Sequence, residues 1–180
     1  MLHAWTDFVT AVSPDGKVLL FGNTDIMKLT LADGGVEPWL KTDFIEWAAV
    51  FSPDGRWVAY QSNESGGSEI YVQGYPEKRG KRLVSAAGGF TPVWRRDGKE
   101  LYWITEGGEV AAASMELLTD SVRPGRPQAL FRIPPSFSGL FYFQTLDGQR
   151  FLVREPESGT QARAQLVIVQ NWAAQLRDAK

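Results

Sequence analysis

The residues most open to a chemical reading are four aspartates that recur along the chain. Asp15, Asp54, Asp97 and Asp147 each precede a glycine (Gly16, Gly55, Gly98, Gly148), at spacings of 39, 43 and 50 residues. Regularly spaced carboxylates could ligate a metal or act as an acid/base pair. The same dipeptide is also what a repeated turn needs, since aspartate caps its own turn and glycine accepts a left-handed backbone. A single stamp at one place per unit favours the turn, and these eight residues are read as structural. A second set of acids, Asp43 and Glu46, falls between two apolar runs and could form an acidic site for a hydrolase or lyase. A solvated loop accounts for them equally well.

Other chemistries are excluded by composition. There is no cysteine, and His3 is the one histidine. Thiol catalysis, disulfides and zinc sites of the Cys/His kind therefore cannot be built. No Gly-x-Ser-x-Gly elbow is present. "SPDGRW" 52–57 lacks the residue that a sialidase-type Asp box carries between Asp and Gly. No catalytic residue, metal ligand or cofactor is assigned. The net charge of −2 and the absence of a basic stripe argue against a nucleic-acid partner. The run "EKRGKR" 77–82 reads as a solvated hairpin. No apolar stretch reaches the roughly 18 residues of a membrane helix, so no membrane insertion is expected. The N-terminus has no signal-peptide pattern.

The elements around the turns are short and apolar. "FVTAV" 8–12, "AAVF" 48–51, "TPVW" 91–94 and "LFYF" 140–143 precede them. "VLLF" 18–21, "WVAY" 57–60, "LYWI" 101–104 and "FLVR" 151–154 follow. Paired runs joined at Asp-Gly predict hairpins, with both residues supplying the positive φ of a tight turn. A third strand follows in each unit and a fourth in three of them. Strands apolar on both faces, in units of about 40 residues, predict stacked sheets in a β-propeller.

The expected fold is all-β, a propeller of four four-stranded antiparallel blades over 8–42, 44–86, 90–133 and 139–172. An N-terminal strand at 2–7, where "HAWTDF" resembles "PWLKTDF" 38–44, closes the ring by joining blade four. The alternative is a homodimer whose two halves pair into an eight-bladed ring. The single domain spans 1–172, and 173–180 form a polar tail.

"FSPDGRWVAYQSNESGGSEIYVQGYP" 51–76, "GGFTPVWRRDGKELYW" 88–103, "DGQRFLV" 147–153 and "LVIVQNW" 166–172 resemble TolB-like, WD-repeat-like propellers. More narrowly they are similar to the C-terminal propeller (sensor) region of bacterial serine/threonine protein kinases. The chain departs from that pattern in its four blades and in having no kinase domain, so a truncated sensor fragment is one reading. The resemblance implies a non-catalytic binding or scaffold module and a periplasmic or extracytoplasmic sensor; otherwise a cytoplasmic protein is expected. The partner would be a protein, peptide or glycan. Meander topology puts the Asp-Gly turns at one end and the loops near 22–25, 43–46, 62–68, 87–90, 105–108, 135–139 and 155–164 at the other. The second end, at the channel mouth, is the expected binding face, with Asp43, Glu46, Asn63, Glu64, Phe90 and Phe137 as its candidates.

Overall fold

The computed structural model describes residues 8–133, 143–145, 147–156 and 164–170. The strand expected at 2–7, Phe137, the 173–180 tail and His3 lie outside them.

The described residues are all β. Blade one is the antiparallel sheet β1 (Phe8–Val12), β2 (Val18–Gly22), β3 (Ile26–Thr30) and β4 (Val36–Leu40), in that order. Blade two is β5 (Glu46–Phe51), β6 (Trp57–Ser62), β7 (Glu69–Gly74) and β8 (Arg82–Leu83). Blade three departs from the four-strand expectation. Its β9 (Phe90–Trp94), β10 (Glu100–Ile104) and β11 (Glu109–Leu117) form the meander, and β13 (Gln128–Arg132) pairs with β11. The nine-residue β11 outruns β10, and its free end takes a further strand, β12 (Val122–Pro124). Blade four shows three strands, β14 (Phe143–Thr145), β15 (Arg150–Pro156) and β16 (Ala164–Gln170).

The four turns are built alike. The amide of Gly16, Gly55 and Gly98 donates to the carbonyl three residues back, each at 2.9 Å. All four glycines have φ between 70° and 72°. The aspartates correct the sequence reading, because none of them has positive φ. Each instead accepts, on Oδ1, the backbone amide two residues on: Lys17, Arg56, Lys99 and Gln149, at 2.9–3.2 Å. Type I turn geometry needs left-handed backbone only at its last residue, so glycine supplies the conformation and aspartate the cap.

Packing runs between blades. One core joins blades one and two through Leu20, Ile26, Trp39, Val58 and Tyr60. A second joins two and three through Trp57, Ile70, Trp94, Trp103 and Val122. A third joins three and four, where Phe151 packs edge-on against Tyr102 and Phe131, both with centroids at 5.2 Å. Sheets buried on both faces explain why the strands do not alternate polar and apolar. Blade one's other face differs. Register places Val12, Leu19, Leu29 and Val36 side by side there. Val12 is 53% and Val36 50% exposed, against 0% for Leu20 on the packed face.

Candidate functional site

The loops opposite the Asp-Gly turns are tied to one another in a chain of contacts. Glu46 N donates to Thr24 O, Ile45 N to Asn63 Oδ1 and Gly89 N to Ser68 O. Gly88 N donates to Glu69 Oε1. A Cβ on Gly88 would meet Glu106 Cβ at 3.0 Å. Successive hairpin loops and blade crossings thus form one continuous rim.

Two of the polar residues expected on this rim, Asn63 and Glu64, are spent on holding it. Asn63 anchors the blade crossing through Ile45. Glu64 forms an ion pair with Lys81, whose ammonium lies 5.0 Å above the Tyr71 ring. Lys81 comes from the "EKRGKR" run, and Arg79 of the same run reaches Asp120 at 3.3 Å, so that run is largely neutralised in place. Phe90 is half-buried and packs onto the core between blades three and four. Asp43 is exposed.

Glu46 is the exception. It is 1% exposed; its Oε1 accepts from Thr42 Oγ1 at 2.5 Å and its Oε2 has no partner among the described residues. Burial raises its pKa above the ordinary carboxylate value, and the nearby Asp25 adds to the shift, against the hydrogen bond from Thr42. A raised carboxyl is what a general acid needs. Glu46 does not line either of the two described cavities.

Sequence reasoning missed the inner strands. Phe8, Val9 and Thr10 of β1, Trp47, Ala48 and Val50 of β5, Thr91, Pro92 and Val93 of β9, and Gln144 of β14 line one cavity of about 120 Å³. Its walls are mainly apolar. Each of the first three inner strands carries a bulge at the same place: between Val9 and Ala11, between Trp47 and Val50, and between Phe90 and Val93. Two bulge residues other than glycine, Ala48 and Thr91, sit at φ 52°. That conformation is costly, above all for a β-branched threonine. The bulge lets an inner strand bend around the cavity while its outer part stays in register. Phe44 and Ile45, 45% and 47% exposed, immediately precede β5, whose Trp47 lines the cavity. Only the dipeptide's apolar character, in an otherwise polar connection, could have flagged them in the sequence.

No family model matches the chain. Solved structures do. It is similar to a putative TolB from Agrobacterium tumefaciens at 19% identity, over 72% of this chain and 51% of that one, with a TM-score of 0.55. It is similar to TolB from Acinetobacter baumannii at 24% identity, over 89% of this chain and 43% of that one, with a TM-score of 0.54. It also matches a chain of a nidogen/laminin complex at 11% identity, over 91% of this chain and 59% of that one, with a TM-score of 0.63. The chain spans about half the length of these structures. At such identities the likeness shows the fold, a TolB-like β-propeller, and no more.

Proposed function

We propose that the protein is a non-catalytic binding module that engages a protein or peptide partner on the rim around the central cavity. The observation that carries this reading is the exposed pair Phe44 and Ile45 beside an apolar cavity, while the neighbouring Asn63, Glu64 and Glu46 are engaged or buried. Large apolar side chains grouped at a concave opening mark interaction sites. A cavity of about 120 Å³ is smaller than the ~300 Å³ at which small-molecule pockets begin. It suits one or two side chains of a partner lying across the rim. A sensor role, inside or outside the cytoplasm, rests on the kinase-sensor resemblance and is part of the proposal.

The test is site-specific photo-crosslinking in the source cell. A crosslinker at position 45 should capture a defined protein, and one at Lys17, at the opposite end, should not. Capture of the same set from both positions would refute the rim as the binding surface.

A further inference from the structure

The repeat changes from blade three onward, where charged residues, Glu100 and then Arg150, stand two residues beyond the turn glycine. Two residues beyond the turn glycine, blades one and two carry Val18 and Trp57, and each packs into the core shared with the next blade. Blade three carries Glu100 there. Three residues before the glycine, Ser13 and Ser52 hydrogen-bond within their turns. Blade three carries Arg95 instead. These two changes face blade four, and a cleft of about 400 Å³ opens between blades three and four at the Asp-Gly end of the molecule. The turn of blade four closes one side of it. A Cβ on Gly148 would lie 2.2 Å from Tyr102 Oη, so that turn sits directly on blade three.

The charges in the cleft do not pair off. Arg95 donates to both oxygens of Asp97, at 2.7 and 2.8 Å, and to Glu100 Oε2 at 2.7 Å. Tyr102 Oη also donates to Glu100 Oε2, at 2.5 Å. One guanidinium thus serves two carboxylates, and Glu100 Oε1 accepts no hydrogen bond among the described residues. Arg126 lines the same cleft and, among the described residues, has no carboxylate partner. The cleft therefore offers one open carboxylate oxygen, on Glu100, and one guanidinium without a carboxylate partner among the described residues. Between them, Ser114 and Gln128 offer a hydroxyl and an amide with no side-chain hydrogen bond among the described residues, and Leu130 and Ala112 supply apolar wall.

We propose that this cleft binds a free α-amino acid. The ligand's ammonium would face Glu100, its carboxylate Arg126, and its side chain the Leu130 and Ala112 wall. A volume of about 400 Å³ falls in the range of small-molecule pockets. Guanidinium and carboxylate contacts are the charge-assisted hydrogen bonds that fix a zwitterion's direction. The site lies at the other end of the molecule from the rim and is independent of the partner proposed there.

The test uses the whole chain. Each of the twenty L-amino acids is added at 5 mM and thermal unfolding is followed, then any hit is titrated by calorimetry. At least one is expected to raise the midpoint saturably. Its N-acetyl and its carboxamide forms, which each remove one charge, should bind at least tenfold more weakly. Arg126→Ala should cost at least tenfold in Kd. Ser114→Leu, which puts a bulky apolar side chain into the cleft beside Glu100, should abolish binding. Absence of any hit, equal binding of the blocked forms, or unchanged affinity in Arg126→Ala would each overturn the proposal.

Discussion

Glu46→Gln should stabilise the protein at neutral pH, an unusual outcome for a substitution at a fully buried position. Among the described residues the ionised side chain keeps only the hydrogen bond from Thr42, while Oε2 lies buried with no hydrogen-bond partner. An ionised group buried without a counter-charge costs several kcal/mol even after relaxation. Glutamine keeps an oxygen for Thr42 and loses the charge, but it buries an amide whose donors cost roughly 1–3 kcal/mol if unmet. The balance favours glutamine by about 1 kcal/mol at pH 7, or about 2–4 °C in Tm for a chain of this size. The pH dependence is the sharper test. The folded pKa of Glu46 lies above its ordinary value of 4.5. Its protonated form therefore favours folding: this contribution is complete below pH 4.5 and is lost as the pH rises through the folded pKa. The advantage of glutamine should thus be present at pH 7 and gone by pH 4. Thermal unfolding of both proteins across that range measures it. A difference that stays constant with pH, or a glutamine variant less stable at pH 7, would refute the account of Glu46 as an uncompensated buried acid.

Asp97 and Asp147 titrate the other way. The guanidinium of Arg95 holds Asp97 at about 2, and the amides of Gln149 and Arg150 hold Asp147 at about 2. Their contribution is present above pH 3.8 and is lost as the pH falls through 2, so acid unfolding should begin below pH 4 and be blunted in Asp97→Asn. Ser52→Ala removes a 0% exposed hydroxyl that accepts from Trp57 N and donates to Asp54, and should cost about 1–2 kcal/mol in denaturant unfolding. Gly89→Ala puts a Cβ 2.6 Å from Ile70 Cγ1 and 2.9 Å from Ser85 Oγ, and should lower stability by about 1–3 kcal/mol. The half-exposed apolar face of blade one should make the protein associate with rising concentration in sedimentation runs, and Val12→Asp should suppress this.

The blade count was legible because its signal is carried by backbone chemistry. A turn needs glycine at its left-handed position and profits from an aspartate cap, so the same two letters must return once per unit. Strands packed on both faces must likewise be apolar throughout. The bulges of β1, β5 and β9 leave no such mark. They occur at Thr10, Ala48 and Thr91, residues of two types with no left-handed preference, because sheet curvature imposes them and local propensity does not. The same holds for Glu46, whose letters suggested a solvated loop. It lies buried because the blade crossing folds it under Thr42, a relation that depends on where β4 ends and β5 begins.

The two departures Arg95 and Glu100 were visible as letters but had no meaning until register was known. In sequence "RRDGKE" reads as a more polar copy of "SPDGRW". In space Trp57 packs into the core shared with the next blade, while Arg95 and Glu100 line the cleft at the boundary with blade four, so the substitutions put charge at a blade boundary. A repeat tolerates polar letters freely on its turns and very little at its blade contacts. An ion pair at a contact position must find all its partners there or leave charge for something else to satisfy. Among the described residues Arg95 finds two carboxylates and Arg126 finds none, so the boundary of blades three and four departs from the packed contacts that the other two described boundaries keep.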